Sequence, residues 1–326
     1  MMDSLVSNFA KDIEAFLTFR KGLGLSNYSF AFYLKMFDKY CFNENPNSDE
    51  LTQPLVIGWL NQAIENGERG IDSRGRSIRA FGKYLQSQGD PAYIAPVKYF
   101  ETKSTFVPYI PSVDELTAFF SATDNILKWH NGDAFATSVA PVIFRMIFTC
   151  GLRPTEARLL KRNDVNTTTG EILITKNKSR KERIVVMSDD MIKLCKDYEV
   201  RRNLFFVRSD FYFPRIDGTA YSNQQLNGLC KRCWKFANPD VPVSKLPNLR
   251  PYDFRHCFAS NVLQKWLDEG KDLLVMLPYL RAYMGHEHIE DTAYYIHILP
   301  ERLLHSPGVD WDQMDETMPE VSVWEN

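Results

Sequence analysis

The stretch TCGLRPTEARLL (residues 149–160) contains the signals that end one helix and start another. Gly151 follows an apolar segment with helical spacing, which predicts that a helix ends there. Pro154 is typical of a first helical turn, and Glu156 favours the start of the next helix. Arg153 is therefore expected at a helix junction, where Glu156 can orient its guanidinium group. Taken alone, such an Arg–Glu pair is also common at the start of an ordinary helix.

Downstream, GEILITKNKSRKERIVVM (residues 170–187) carries the one clear β signal in a sequence that otherwise favours helices. Two β-rich runs, Ile172–Thr175 and Ile184–Met187, flank a polar and strongly basic turn. They predict a hairpin whose Lys and Arg side chains reach into DNA or hold a phosphate. A surface hairpin with solubilising charge is an equal alternative on these residues alone.

Two further motifs follow in the sequence: RPYDFRHCFASNVL, residues 250–263, and MGHEHIEDTAYYIHI, residues 284–298. Arg255 and His256 open an expected amphipathic helix in the first of them. In the second, His286 is expected at a helix N-terminus, with Tyr294 and Tyr295 eight and nine residues later. Adjacent helical residues point about 100° apart, so only one of these tyrosines can face a given site.

In this order and at this spacing, the four motifs resemble the tyrosine recombinase (phage integrase) family. That family carries an Arg in a GLRxxE motif, a Lys in a hairpin of the form GKGxKxR, an HxLRH box, and a GH followed by a Tyr nine residues after the His. The resemblance covers nearly the whole chain, because the N-terminal helices look like the family's core-binding domain. It implies a mainly α fold: an N-terminal helical core-binding bundle, then a mostly α catalytic domain with a small β-hairpin sheet.

By this resemblance, Arg153 and Arg255 are the two catalytic arginines, and Glu156 is the acid that orients Arg153. Lys178 matches the catalytic lysine of the hairpin. Lys176 competes for that role, because the turn lacks the family's glycines. The other basic residues of the hairpin are expected to support DNA binding: Lys176, Arg180, Lys181 and Arg183.

His286 matches the family's last histidine, and counting nine residues from it identifies Tyr295, rather than Tyr294, as the nucleophile. The sequence departs from the family at Tyr252, where the HxLRH box begins with His. A phenol can donate a hydrogen bond to phosphate, but it is neutral at pH 7 and a poor base. We therefore expect Tyr252 to act as a donor and not as a general base.

These residue types suit cleavage of a phosphodiester without cofactors. A tyrosine nucleophile stays attached to the DNA as a phosphotyrosine, which conserves the bond energy. Two guanidinium groups can stabilise the charge that develops on the phosphate, and Lys178 can give a proton to the departing 5′ oxygen. No metal is implied, because the arginines supply the charge that Mg²⁺ supplies elsewhere. The sequence also has no GxxxxGKS loop, in agreement with an ATP-independent reaction.

The first hundred residues predict a bundle of about four short helices, followed by a proline-containing linker. We assign residues 1–104 to the helical core-binding domain and residues 108–326 to the catalytic domain, with a C-terminal tail at 303–326. Basic residues at the start of the fourth helix are expected to contact DNA, although a solvated helix face is the alternative. They include Arg74, Arg76 and Arg79.

The chain has 326 residues, of which 44% are hydrophobic and 25% charged, as in a soluble globular protein. No signal peptide or membrane span is predicted, so we expect a cytoplasmic protein without a membrane partner. The formal net charge is −2, but the tail after Leu303 carries six acidic and no basic residues, which leaves +4 on the rest. That modest excess is compatible with a DNA phosphate backbone.

Six scattered cysteines are typical of reduced thiols. Cys230 and Cys233 form a CxxC pair, but no second Cys or His pair stands at ligand spacing. Two packed thiols on a helix are therefore favoured over a zinc site.

The resemblance implies a site-specific recombinase that cuts and rejoins DNA through a 3′-phosphotyrosyl intermediate, for integration, excision or transposition of a mobile element. Its implied partners are double-stranded DNA with inverted-repeat sites and further copies of itself, as a dimer on a site and a tetramer in the synaptic complex. The apolar residues of the tail are expected to pack onto a neighbouring protomer, or nearly as readily in cis. A type IB-like topoisomerase and a catalytically inactive DNA-binding relative are the alternatives, the latter supported only by Tyr252.

Overall fold

The chain forms two compact units, which comprise Met1–Phe106 and Val107–Asn326. The computed structural model describes residues 5–100, 108–126, 135–175, 182–205 and 208–298. The predicted mainly α fold with a small antiparallel sheet is confirmed. Within the described ranges, no helix combines the length and the apolar character needed to cross a membrane.

The first unit is a four-helix bundle, as predicted. Its helices are α1 (Ala10–Gly22), α2 (Tyr28–Glu44), α3 (Gln53–Glu65) and α4 (Ile71–Gln88). Aromatic side chains from all four helices and the residue before α1 fill the core. The rings of Phe9 and Phe37 lie 5.6 Å apart, and those of Phe37 and Trp59 lie 5.2 Å apart. Aromatic pairs at such distances add to the stabilisation that comes from burial.

The prediction that Arg74 binds DNA is contradicted by its position in this bundle. Its side chain is 3% exposed, because α4 turns this face towards the core. The guanidinium group forms an ion pair with Glu68, donates to the carbonyl of Trp59 and lies 4.6 Å from the indole ring. Arg74 is therefore a packing residue of the bundle.

The other two arginines predicted to bind DNA differ from Arg74 and from each other. Arg79 is partly buried and donates to the backbone carbonyl of Ala95, with 2.6 Å between donor and acceptor. Arg76 is 69% exposed and pairs with Asp72 one helical turn earlier. Its side chain therefore has the access to solvent that a phosphate contact requires, and its DNA contact stays a prediction.

The second unit is also mainly helical. Its first helices are α5 (Val113–Asp124), α6 (Ala136–Cys150) and α7 (Pro154–Leu159), and the strands are β1 (Val165–Asn166), β2 (Glu171–Ile174) and β3 (Arg183–Val186). The remaining helices are α8 (Asp189–Phe205), α9 (Asn223–Ala237), α10 (Pro251–Asp268), α11 (Leu273–Met284) and α12 (Glu290–Ala293), followed by a 3₁₀ segment at Tyr294–Ile298. Ser112 caps α5 with a capping box, in which Glu115 is the partner.

The predicted hairpin is present as the antiparallel pair β2–β3, in which Ile174 lies opposite Arg183. A short strand, β1, extends the sheet on the other side of β2 and was not predicted, because two residues carry too little pattern. The turn that holds Lys176, Lys178, Arg180 and Lys181 lies outside the described residues, as does the tail from residue 303.

The core of this unit is built around α6, which carries nine buried residues. The helix ends at Gly151 with a positive φ of 64°, as predicted from the sequence. A side chain at this position would also collide with the ring of Phe258, since an added Cβ would lie 2.4 Å from its Cδ1. Gly151 thus lets the chain turn sharply against α10 and begin α7 three residues later.

A second group of apolar residues joins α10, α11 and the C-terminal 3₁₀ segment, and it includes Leu263, Leu277 and Tyr295. His286 was predicted at a helix N-terminus, and this is wrong. Gly285 is the C-cap of α11 with a φ of 66°, so His286 follows the end of one helix and precedes α12 by several residues.

Cys230 and Cys233 are both fully buried on α9 and contribute to the core of the second unit. Burial raises the pKa of both thiols above its ordinary value, so neither is poised to ionise. Among the residues that the structure describes, no group of three His, Cys, Asp or Glu side chains is placed to hold a metal ion.

Candidate active site

Glu156 lies at the centre of a group of arginines contributed by the N-cap of α7, by β3 and by α10. Its carboxylate accepts from Arg153 Nη1 at 2.9 Å, and from Arg183 Nη1 and Nη2 at 2.9 and 2.7 Å. It also accepts from the backbone N–H of Arg153 at 2.8 Å, which fixes the first turn of α7. Arg255 Nη1 lies 3.9 Å from the same carboxylate. Three guanidinium groups thus share one carboxylate.

The Glu156 side chain is 2% exposed, and burial by itself would raise its pKa. Hydrogen bonds and charge from Arg183, with contributions from Arg153 and Arg255, outweigh that effect and hold the pKa of Glu156 below its ordinary value. The carboxylate is therefore ionised at neutral pH. Its predicted position beside Arg153 matches the structure, although its role stays a prediction.

Arg183 was predicted to contact DNA, and its surroundings contradict this. Its side chain is 9% exposed and binds Glu156 through both terminal nitrogens, while Nε donates to the carbonyl of Tyr283 at 2.9 Å. The strand β3 thereby connects to the end of α11. Each of the three guanidinium nitrogens donates to a protein acceptor, so in this structure Arg183 supports Glu156 rather than a phosphate.

Arg153 and Arg255 are held at defined positions by backbone carbonyls. Arg153 Nη2 donates to Gly285 at 2.8 Å, and its side chain retains 21% exposure. Arg255 is fully buried and donates to Gly151 at 2.6 Å and to Met284 at 2.7 Å. The two arginines therefore meet where the end of α6 approaches the end of α11.

Tyr295 is buried in this site, whereas the neighbouring Tyr294 is exposed. Tyr295 is 2% exposed, whereas Tyr294 is 40% exposed. The Tyr295 ring stacks on His286 with centroids 5.9 Å apart and an interplanar angle of 17°, and it lies 5.3 Å from the ring of His256. Burial raises the pKa of Tyr295 to about 12, against the opposing charges of Arg255 and Arg153. Its deprotonation therefore needs assistance.

Both ring nitrogens of His286 have partners. Nε2 lies 2.9 Å from Arg255 Nη2, and Nδ1 lies 2.7 Å from the hydroxyl of Thr292. A guanidinium can only donate, so Nε2 accepts, and the neutral ring carries its proton on Nδ1. Burial, together with the charges of Arg255 and Arg153, lowers the pKa of His286 to about 3, which keeps the imidazole neutral.

Tyr252 is 40% exposed at the start of α10, and its ring lies 5.1 Å from that of His256 one turn later. Several partners of the site were not predicted: Thr292, the ring of His256, and the carbonyls of Gly151, Tyr283, Met284 and Gly285. Backbone acceptors leave no signature in a sequence. The sequence did contain a signal for His256, because it stands four residues after Tyr252 and therefore on the same helix face.

The sequence profile of the phage integrase family matches residues 114–302, which is more than half of the chain. The candidate integrase/recombinase y4rE of Sinorhizobium fredii is 33% identical over 90% of this chain and 93% of its own. Tyrosine recombinase XerC of Chlorobaculum parvum is 27% identical over 72% of this chain and 70% of its own.

Solved structures show the same fold. The XerH site-specific recombinase, in a post-cleavage complex with palindromic difH substrate, has a TM-score of 0.63 and 20% identity over 87% of this chain and 79% of its own. The Tn1549 transposon integrase, in complex with transposon right end DNA, has a TM-score of 0.63 and 13% identity over 96% of this chain and 99% of its own.

Proposed function

The chain belongs to the phage integrase family, and we propose that it is a site-specific recombinase in which Tyr295 cuts DNA and stays attached to the 3′ phosphate. The observation that carries this proposal is the meeting of Arg153, Arg255 and Tyr295 at one place in the fold. Two guanidinium groups beside a phenol form a site for a phosphodiester and a nucleophile to attack it.

In the cleavage step, the Tyr295 oxygen attacks the phosphorus and the bond from phosphorus to the 5′ oxygen breaks. The phenolic proton leaves the tyrosine, and the 5′ oxygen takes up a proton, for which Lys178 is the proposed donor. Arg153 and Arg255 stabilise the charge on the non-bridging oxygens, and Glu156 holds Arg153 in place. Attack of a 5′ hydroxyl on the phosphotyrosine reverses the step and rejoins a strand.

Because the site is buried, the reaction requires a conformational change. Arg255 is fully buried and Tyr295 is 2% exposed, so both groups must become more accessible before a phosphate can bind between them. Tyr295 lies in the short 3₁₀ segment Tyr294–Ile298, not in a long helix. A displacement of this segment on DNA binding would make both groups accessible.

The proposed substrate is double-stranded DNA with inverted-repeat sites, bound by a dimer at each site and by a tetramer when two sites are joined. Relatives of this fold are bound to recombination DNA: XerH to difH substrate, and the Tn1549 integrase to transposon right end DNA. We propose a mobile-element role in integration, excision or transposition on this basis. Affinity for phosphates would make binding strongly dependent on salt.

Covalent trapping tests the proposal. The protein is mixed with a pool of nicked duplexes of randomised sequence, without metal or ATP, and adducts that survive denaturation are isolated and sequenced. We expect adducts from wild type and from Tyr294→Phe, and none from Tyr295→Phe. Adducts lost only in Tyr294→Phe would make that tyrosine the nucleophile.

Two further results would favour the alternatives. DNA binding without any adduct from wild type would support the inactive DNA-binding relative. Relaxation of supercoiled plasmids by the monomer, without a specific site, would support a type IB-like topoisomerase.

A further inference from the structure

Two imidazole rings pack against Tyr295, and they differ in what their nitrogens contact. His286 has a partner at each nitrogen, namely Arg255 at Nε2 and Thr292 at Nδ1. Its Nε2 lone pair already accepts from a guanidinium that cannot give up its proton. In this arrangement His286 has no free position for the phenolic proton of Tyr295.

His256 is arranged differently. It is 7% exposed, and its Nδ1 is buried without a hydrogen-bond partner. A buried N–H without a partner is rarer in proteins than an unsatisfied acceptor, so we place the proton on Nε2 and a free lone pair on Nδ1. Its ring centroid lies 5.3 Å from that of Tyr295. Of the two imidazoles, only His256 therefore has an unoccupied acceptor.

Burial and the charges around His256 keep the ring neutral, and the ring packs against that of Tyr295. Burial and the charges of Arg255 and Arg250 lower its pKa to about 4. Among the residues that the structure describes, the titratable and charged groups that face it come from its own helix, from the residue before that helix and from the 3₁₀ segment. They are Tyr252, Arg255, Arg250, Tyr294 and Tyr295. No carboxylate is among these groups, so the ring enters the reaction as an uncharged acceptor.

We propose that His256 receives the phenolic proton of Tyr295 when the tyrosine attacks the DNA phosphate. This inference rests on the proposed function and adds a residue to it. The Tyr295 O–H bond breaks, the proton passes to Nδ1 of His256 as the bond from oxygen to phosphorus forms, and the imidazole becomes an imidazolium. The 5′ oxygen leaves with a proton from the separate donor, so protons and charges balance.

The position of His256 on α10 supports this role once DNA is bound. The charge of Arg255 already acts on His256 and lowers its pKa, so a phosphate held by Arg255 also lies within electrostatic reach of the imidazole. The negative charge of that phosphate stabilises an imidazolium and raises the pKa of His256 from its value in the free protein. Tyr252, the neighbour one turn earlier, has no comparable basicity.

Two substitutions separate proton transfer from packing. His256→Phe keeps an aromatic ring of similar shape and removes both nitrogens. His256→Asn keeps an acceptor near the position of Nδ1, but an amide does not take up a proton in this pH range. We expect both variants to form adducts on the nicked-duplex pool at least about 100-fold more slowly than wild type, the usual loss when a general base is removed.

The pH dependence of adduct formation provides a readout that packing would not change. Wild-type activity should fall as the pH drops through the pKa of His256, because the imidazolium cannot accept a proton. In the DNA complex this acidic limb should lie between the pKa of about 4 in the free protein and the ordinary histidine value of 6.5. His256→Asn should lack this limb. DNA affinity and melting temperature, measured for each variant, confirm that it folds and binds.

The outcomes distinguish this inference from the proposed function. If wild type forms the Tyr295 adduct and His256→Phe forms it equally fast, the inference is wrong and the recombinase proposal stands. If His256→Asn forms the adduct at the wild-type rate and His256→Phe does not, His256 acts only as a hydrogen-bond acceptor that positions Tyr295. This result too would overturn proton transfer. If wild type forms no adduct, both the proposed function and the inference fail.

Discussion

Arg74 in the first unit and Arg255 in the second are both buried, and their side chains are satisfied in different ways. In the bundle, Arg74 forms an ion pair with Glu68 and lies against the indole ring of Trp59. In the second unit, Arg255 binds two backbone carbonyls and a neutral histidine, and its contact with Glu156 is 3.9 Å long. The first arginine is neutralised locally, and the second is held in place by neutral acceptors.

The two arginines also differ in the charge that surrounds them. Around Glu156, three guanidinium groups share a single carboxylate, so the site carries excess positive charge in a buried place. Burying unpaired charge is costly in free energy. A phosphate would supply the missing negative charge, whereas the bundle arginine has no comparable need for a ligand.

The largest effect is expected from Glu156→Gln, which removes the one carboxylate shared by the arginines. We expect the free energy of unfolding to fall by about 3–5 kcal/mol, as for other buried ion pairs that lose one partner. Chemical denaturation measures this loss. Glu182→Gln, an exposed change next to Arg183, is the matched control and should leave stability nearly unchanged.

The carboxylate of Glu156 should also make the free energy of unfolding depend on pH. The pKa of Glu156 is lowered in the folded protein, so its contribution is present above the pKa of the unfolded chain and is lost as the pH falls towards the folded value. Below pH 4.5, the ordinary pKa of a glutamate, the wild-type protein should therefore lose stability more steeply than Glu156→Gln. Parallel curves for the two proteins would show that Glu156 is not specially stabilised as an anion.

Arg255→Ala should affect the chemistry most directly. We expect adduct formation to slow by about 10²–10³-fold, the range found when one donor to a developing oxyanion is removed. Arg255→Lys should not restore the rate, because a single ammonium cannot reach the carbonyls of Gly151 and Met284 and also hold a phosphate. A rate close to wild type in Arg255→Lys would mean that only the charge matters.

The contacts around Glu156 differ in how far the sequence predicts them. The junction of Arg153 and Glu156 was predictable, because Gly151 and Pro154 mark the end of one helix and the start of the next. The pairing of Arg183 with Glu156 was not, because it depends on how β3 packs beside α7 and on the carbonyl of Tyr283.

The error at Arg74 had a visible cause. Arg74, Ile78, Phe81 and Leu85 share the spacing of one helix face, and all four are buried. The charge of the basic run at the start of α4 favours a DNA-facing surface, whereas its periodicity places one arginine on the apolar stripe. Position on a helix face was the better guide to burial.

Arg74→Ala should act on folding and leave the reaction unchanged. It removes an ion pair, a hydrogen bond and a ring contact, so we expect a loss of about 2–3 kcal/mol in the free energy of unfolding. Arg76→Ala, an exposed change two residues later, is the control and should keep the melting temperature. A loss of adduct formation by folded, DNA-bound Arg74→Ala would contradict the distinction between the two arginines.

The smallest effect is expected from Thr292→Val, which keeps the shape of a fully buried side chain and removes the hydroxyl beside His286 Nδ1. The proton on Nδ1 then has no acceptor, and the tautomer that leaves Nε2 free to accept from Arg255 is disfavoured. We expect adduct formation to slow by roughly tenfold, equivalent to about 1.4 kcal/mol. Thr292→Ser retains the hydroxyl and should restore most of the rate. If the Ser and Val variants form adducts at the same rate, the carbonyls of Gly151 and Met284 alone position Arg255. His286 would then not be one of the neutral acceptors that distinguish Arg255 from Arg74.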